Sequence, residues 1–186
     1  MIERDEDEVY VQVGAGENWD KTVKRTVAKG LHGIEALSLV PGTTGGTPIQ
    51  NVGAYGQDVS QTLISVEAYD SKLQDFIMIP AESCGFAYRT SRFKTKDRGR
   101  FFIVSLLFCL NKHTPKPPFY AALQKYFDEN NITKYSPQVV RDAVIAIRSS
   151  KLPDPAKVAN NGSFFANPII TKARFDKVSA QYPSIA

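Results

Sequence analysis

Three stretches concentrate residues that can do chemistry. From Val40 to Gly56 the chain reads VPGTTGGTPIQNVGAYG, where Gly42, Gly45, Gly46, Gly53 and Gly56 are five of the twelve glycines in the sequence. Without a Cβ, glycine reaches left-handed conformations and lets backbone N–H groups approach a ligand closely, which suits a phosphate or a flat cofactor. Thr43, Thr44 and Thr47 add hydroxyl donors, and Pro41 and Pro48 stiffen the path. No GxxxxGK[ST] occurs, so this is not a nucleotide P-loop; an ordinary glycine-rich connection is the plain alternative. The second stretch, ESCGFAYRTSRFKTKDRGR from Glu82 to Arg100, is aromatic and basic, with a solvated basic hairpin as its plain alternative. The third, NNGSFFANP, sets the Ser163 hydroxyl in a small-residue turn before Phe164 and Phe165, which can enclose it in an apolar pocket; simple turn chemistry would leave the same pattern.

The elements that must position these residues show in the hydrophobic periods. Val9, Val11 and Val13 alternate with Tyr10 and Gln12 as in a half-buried strand. After Gly14-Ala15-Gly16, Trp19, Val23 and Val27 recur every four residues, predicting an amphipathic helix closed by Gly30. Strand, GxG and helix invite a dinucleotide-binding reading, but the third glycine of GxGxxG would fall at Trp19 and no βαβ unit follows, so a tight turn is expected instead. Further strands are expected at Leu63 to Tyr69, with Ile64, Val66 and Ala68 on one face, at Phe76 to Ile79, and at Phe101 to Leu110, the last as a buried central strand. KHTPKPPF reads as a connector to a helix carrying Tyr120, Leu123 and Phe127 on one side. Ser136 as N-cap, Pro137 in the first turn, and the stripe Val140, Val144, Ile147 predict a second helix. Leu152 to Pro155, LPDP, breaks that pattern as an interdomain crossing would.

Composition bounds the function. At 186 residues, with 42% hydrophobic and 23% charged residues, the chain can build a real core and is neither disordered nor fibrous. Twenty-three Lys and Arg against 19 Asp and Glu give a net charge of +4, scattered instead of striped, so charge alone names no partner. The longest apolar run, Phe101 to Leu110, is interrupted by Ser105 and falls short of the roughly 20 residues a membrane-spanning helix needs. Cys84 and Cys109 form no metal or disulfide pattern, and no metal site is expected. No signal-peptide pattern opens the sequence, and a cytoplasmic location is the expectation.

VGAGENW at 13–19, PGTTGGTPIQNVGAYG at 41–56, ESCGFAYRTSRFK at 82–94, IRSSKLPDP at 147–155 and NGSFFANP at 161–168 together resemble one family, UDP-N-acetylenolpyruvoylglucosamine reductase, MurB. The motifs run in order over nearly the whole chain, which is far more specific than any one glycine pattern. The resemblance implies an α+β fold: a FAD-binding subdomain of the vanillyl-alcohol-oxidase and MurB type over residues 1–151, then, at 152–186, the beginning of an α/β substrate-binding domain. It also implies that the first FAD subdomain and the late catalytic glutamate of the family lie outside this sequence, so the chain alone is expected to be inactive.

By the same resemblance FAD is the cofactor and NADPH the reductant, giving hydride through the flavin to C3 of the enolpyruvyl ether of UDP-N-acetylglucosamine enolpyruvate in peptidoglycan precursor synthesis. Negative charge then develops toward the carboxylate, where the planar fork of Arg89 fits, and Ser163 matches the family's proton donor to C2. Tyr88, Tyr120, Lys151 and Asn167 match substrate-binding positions. Gly42, Thr43, Gly45, Gly46, Thr47, Ile49, Asn51, Gly53, Gly56 and Ile103 match the cofactor-binding ones, with loop N–H groups facing the flavin. A monomer is expected of the full-length protein, with no nucleic-acid partner and no membrane insertion. Asn161 stands where the family's GNAGSFF has alanine, and FAYRTS replaces the commoner FGYRDS. Two other readings carry different expectations: a non-catalytic flavin-binding module of the same fold, and a basic RNA-binding domain using residues 86–100, although no RRM or KH signature accompanies that segment.

Overall fold

The computed structural model describes residues 2–3, 7–154, 157–159 and 165–183. The chain divides into two compact units, Met1–Pro153 and Asp154–Ala186. In the first unit, strands β1 (Ile2–Glu3), β2 (Glu8–Gly14), β5 (Leu63–Asp70), β6 (Asp75–Pro80) and β7 (Phe101–Asn111) form an antiparallel sheet in the order β1-β2-β7-β5-β6. Between β2 and β5 lies a short hairpin, β3 (Gly53–Ala54) and β4 (Gln57–Asp58). The alternation of β2 puts Val9 and Val11 into the core, and its register with β7 runs from Glu8 opposite Asn111 to Gly14 opposite Ser105.

Helix α1 (Trp19–Val27) starts as its sequence dictates: the Asn18 side chain accepts from the Lys21 amide at 3.0 Å, satisfying one of the amides a helix start leaves free. It lays Trp19, Val23 and Val27 against the sheet, and the chain leaves it through Gly30 at φ +72°. Trp19 is fully buried, its ring 5.9 Å from Phe108 and its indole N–H donating to the Leu37 carbonyl at 3.0 Å. Truncation of a tryptophan so placed costs ~3–5 kcal/mol.

Two sheet expectations need correction. Ile64 is not on the core face: the register slips between Leu63 and Ser65, so Leu63, Val66 and Ala68 point inward and Ile64 points out. A bulge inserts one residue and reverses the alternation, which simple period-two counting misses. Strand β7 is central, but only its second half, from Ser105 to Leu110, is mainly buried; Phe102 and Val104 are exposed. The second irregularity, between Glu67 and Ala68, divides the two halves.

Helices α2 (Ala121–Glu129) and α3 (Pro137–Lys151) bury Leu123, Phe127, Val140, Ala143, Val144 and Ile147 in a second cluster. Ser136 caps α3 by accepting from the Val139 amide at 3.2 Å, and Pro137 occupies the first turn as predicted. A fork joins the two clusters: the buried Arg141 donates to both Asp20 oxygens at 2.7 and 2.9 Å and to Ser38 Oγ at 2.8 Å. Burial pushes the Asp20 carboxyl up, but the Arg141 bonds and charge outweigh it and hold the pKa below the usual range.

The basic segment is not a solvated hairpin. Cys84 and Phe93 are buried within it, Arg92 Nε pairs with Asp97 at 2.6 Å, and Arg100 pairs with Asp70 at 2.6 Å and Asp97 at 3.3 Å. Arg92 and Arg100 lie over the Phe101 ring at 5.3 and 4.9 Å. Hydrogen bonds from Arg100 bring Asp70 down to about 2. Arg92 and Arg100 are thus spent on internal carboxylates. In the second unit, helix α4 (Lys172–Gln181), which the hydrophobic periods do not announce, is capped by Thr171 and carries a Lys172–Asp176 pair at 3.1 Å. No helix among the described residues is long and apolar enough to cross a membrane.

Candidate functional site

The loop after β2 and α1 folds back on the β2 end through short-range bonds. Trp19 N donates to Gly42 O at 3.0 Å, Thr44 N to Glu17 O at 2.8 Å and Gly45 N to Ala15 O at 2.9 Å. A Cβ on Gly45 would stand 2.6 Å from that of Ala15, so glycine is required there by packing against the 14–16 turn. The amides of Gly46, Thr47 and Val52 also donate within the loop, and the buried Thr47 hydroxyl donates to Thr44 O at 2.7 Å. The expectation that the amides of this stretch face a ligand is therefore corrected for residues 44–47 and 52, because a loop this compact satisfies its own donors.

What remains bare is different. A Cβ on Gly14, Gly16 or Gly42 would meet nothing within 4 Å, and Thr43 and Gly46 are exposed beside them. The Asn18–Thr43 bridge joins the two segments into one side-chain-poor ridge. Such a surface lets an extended, flat, phosphate-bearing group lie close to backbone, and it fits FAD. Ile103, by contrast, faces the core in register with Ala68 and is partly buried.

Farther along, alternate residues of the loop hold the Tyr88-Arg89 turn. Ser91 Oγ donates to Ile49 O at 2.7 Å, Asn51 Nδ2 donates to Ala87 O at 3.4 Å, and Arg89 Nη2 donates to Gly53 O at 2.6 Å. Arg89 has φ +53°, a left-handed conformation uncommon for a side chain of its size, and its guanidinium lies 5.2 Å over the Tyr88 ring. One N–H of the fork is thus anchored and the rest remain for a planar anion. The structure brings together Ile49, Asn51, Gly53, Tyr88 and Arg89 from two distant segments of sequence.

The β3–β4 hairpin carries the site to its other end. Tyr55 at φ +48° and Gly56 at φ +86° form the two-residue tip, the positive φ pair that closes a tight hairpin. The Tyr55 ring meets Tyr120 edge-on at 6.0 Å; burial pushes the Tyr55 hydroxyl pKa up, against the pull of the Arg148 charge. Tyr120 is not on the buried stripe of α2 but is its exposed N-cap residue. Next to this tip a cavity of about 250 Å³ is lined by His32, Glu35, Gln57, Phe119 and Tyr120 among others. The buried Glu35 accepts from Gly33 N at 2.7 Å and Gln57 Nε2 at 2.9 Å, and its Oε1 lies 2.6 Å from His32 Nδ1. Burial would raise the Glu35 pKa, but the His32 hydrogen bond and charge, with the Gly33 amide, bring it below the usual range.

Lys151 is the exposed last residue of α3, and Asn167 is exposed in the second unit. Ser163 and Asn161 lie outside the described residues. Tyr55, Ser91 and the Glu35–Gln57 pair escape a sequence reading because buried hydrogen bonds leave no period; the signal at hand is proximity, Ser91 standing two residues beyond Arg89 and Tyr55 next to Gly56.

The bare glycine ridge accords with a flavin site, and residues 1–72 match the FAD binding domain family. The chain also superimposes on the crystal structure of UDP-N-acetylenolpyruvylglucosamine reductase (MurB) from Thermus caldophilus with a TM-score of 0.61, at 20% identity over 91% of this chain and 53% of that one. Over its whole length the chain resembles the UDP-N-acetylenolpyruvoylglucosamine reductases. It is 42% identical to that of Alcanivorax borkumensis over 100% of this chain and 53% of the relative, and 43% identical to that of Ralstonia nicotianae over 94% and 51%. The chain thus spans about half the length of the curated relatives it matches.

Proposed function

We propose that this chain works in the NADPH-dependent, FAD-mediated reduction of UDP-N-acetylglucosamine enolpyruvate to UDP-N-acetylmuramate, a step of peptidoglycan precursor synthesis in the cytoplasm. The observation that carries the reading is Arg89, clamped on the glycine-rich loop with most of its fork free. Residues 1–151 supply the FAD-binding part, and residues 152–186 begin the substrate-binding part. FAD, when bound, supplies the hydride path from NADPH to C3 of the enolpyruvyl group. The bare backbone around Gly42, Thr43 and Gly46 seats the cofactor without steric conflict, and further contacts fall to Gly45, Gly53 and Ile49.

The residues of this chain do the rest. Arg89 binds the substrate carboxylate through paired N–H donors and stabilises the charge that grows there during transfer. Its anchoring at Gly53 O means that this orientation is set before substrate arrives, so little reorganisation is needed. Tyr88 screens one face of the guanidinium, while Tyr120, Lys151 and Asn167 contact the sugar nucleotide. Ser163 delivers the proton to C2. The protein acts as a monomer. The test is to complete the chain with the matching remainder of the Alcanivorax borkumensis reductase, load that chimera with FAD and follow flavin bleaching by NADPH, then recovery of colour on adding the enolpyruvyl sugar nucleotide. Both phases are expected of the chimera, and neither turnover nor tight FAD binding of residues 1–186 alone; bleaching with no recovery in the chimera would instead mark a flavin-binding module without this substrate.

A further inference from the structure

The reading of Arg89 leaves open what keeps a long side chain in a left-handed turn and aimed one way. Arg89 sits in a four-residue turn, Ala87 to Thr90, closed by reciprocal backbone bonds of 3.2 Å. Both ends of that turn are gripped by side chains. On one side, Ser91 is 1% exposed, and its Oγ donates to Ile49 O at 2.7 Å while accepting from Phe93 N at 3.1 Å. On the other, buried Asn51 donates from Nδ2 to Ala87 O at 3.4 Å and to Ser60 Oγ at 3.3 Å, and its Oδ1 accepts from Ser60 N at 3.0 Å. The third tie is the guanidinium itself on Gly53 O. Residues 49, 51 and 53 belong to one short stretch of loop, a turn through Asn51 at φ +48° that leads into β3, so all three ties come from a single segment.

We propose that Ser91 and Asn51 are positioning residues for substrate reduction: they clamp the turn on either side of Arg89 and thereby fix the direction of its fork. The proposal rests on the reading of Arg89 as the carboxylate-binding group. It also reassigns Asn51, which resemblance would place on the cofactor. Its oxygen and its amide nitrogen are both committed inside the protein, to Ser60 and Ala87, so its side chain serves the turn.

Ser91→Ala removes the tie to Ile49, and Asn51→Asp keeps the shape of the side chain while replacing the Nδ2 donor to Ala87 O and Ser60 Oγ by an acceptor oxygen. In the FAD-loaded chimera, in which the matching remainder of the Alcanivorax borkumensis reductase completes this chain, each is expected to lower kcat/KM for the enolpyruvyl sugar nucleotide about tenfold to a hundredfold, the scale of a misplacement near one ångström. Ser91→Ala is expected to leave flavin bleaching by NADPH at the wild-type rate. In an Arg89→Lys background neither change should lower the rate further, whereas a general packing role would add its full factor again. A second readout needs no activity: in flavin-free protein, the ¹⁵N side-chain resonance of Arg89, assigned by its loss in Arg89→Lys, should be distinct in the wild type and collapse to the averaged arginine position in both variants. If Ser91→Ala does not fold, Asn51→Asp carries the test. Wild-type kcat/KM, additive losses on Arg89→Lys, or an unchanged Arg89 resonance would overturn the proposal. A chimera with the unmodified chain that never turns over the sugar nucleotide would instead refute the assigned reaction, while the resonance would still report on the clamp.

Discussion

Gly53→Ala tests the seat of Arg89 most simply. A Cβ on Gly53 would lie 2.7 Å from Arg89 Nη1, 2.9 Å from Asp58 Cβ and 3.1 Å from Gln57 O. Carbon atoms pack best at ~3.5–4.0 Å, so the overlap with Asp58 is about 0.6–1 Å. Asp58 is directly opposite Gly53 in the β3–β4 hairpin, and its Cβ cannot swing away without moving backbone. Arg89 can swing, but only by giving up its 2.6 Å bond to Gly53 O. Overpacking of this kind costs ~1–3 kcal/mol, and the loss of unfolded-state freedom on replacing glycine returns ~0.4–1 kcal/mol. The net is about 0–2.6 kcal/mol of lost stability, a fall of up to ~10 °C in Tm for a chain of this size. Activity should fall much more, by ~10²-fold, because the displaced group is the one that holds the reacting carboxylate. Thermal unfolding followed by circular dichroism, beside steady-state NADPH oxidation, reads both effects. Gly14→Ala, whose new methyl meets nothing within 4 Å, serves as the stability control. A Gly53→Ala protein with wild-type Tm and wild-type turnover would refute the packing argument and the role of Arg89 together.

Asp70 has its pKa drawn down to about 2 by Arg100, so the folded state binds its proton more weakly than the unfolded chain. The destabilisation of Asp70→Asn relative to wild type should be complete above about pH 4 and should fade as pH falls toward 2; denaturant unfolding at a series of pH values checks this, and a constant difference would contradict it. Burial raises the Cys84 thiol to about 11, so alkylation with iodoacetamide at pH 8 should spare Cys84 until the protein unfolds, and mass mapping of the labelled site decides. In the full-length protein, Ser163→Ala should leave bleaching of the flavin by NADPH intact but slow the recovery of colour with substrate by ~10²–10⁴-fold, since only the second phase needs a protein acid; equal rates in stopped-flow traces would remove Ser163 from that role.

Most of the fold is legible because it rests on local signals. The Val9-Val11 alternation, the Trp19-Val23-Val27 stripe closed by Gly30, and Ser136-Pro137 at the start of α3 each write their element in a few residues. Ile64 defeats the same reasoning because a bulge is a property of two paired strands, not of one. In the site, the glycine loop and Arg89 are visible as motifs, but the reasons for individual glycines are not: Gly45 makes room for Ala15 and Gly53 for Arg89, contacts that span long stretches of chain. Nor does sequence reveal that Thr47 and the amides of residues 44–47 turn inward, since a donor's partner is set by tertiary folding. Basic residues at 92 and 100 look free in sequence and are paired in space.

The most direct measurement places Arg89 under load in a complete site. A chimera in which this chain replaces the matching half of the Alcanivorax borkumensis reductase supplies the remaining residues from a relative 42% identical to it. In stopped flow, NADPH should bleach the flavin equally in the unmodified chimera and in its Arg89→Lys variant. Addition of the enolpyruvyl sugar nucleotide should then restore the colour rapidly in the first and hardly at all in the second, because an ammonium cannot reproduce the forked contact with a carboxylate. Recovery at the same rate in both would contradict the central role given to Arg89.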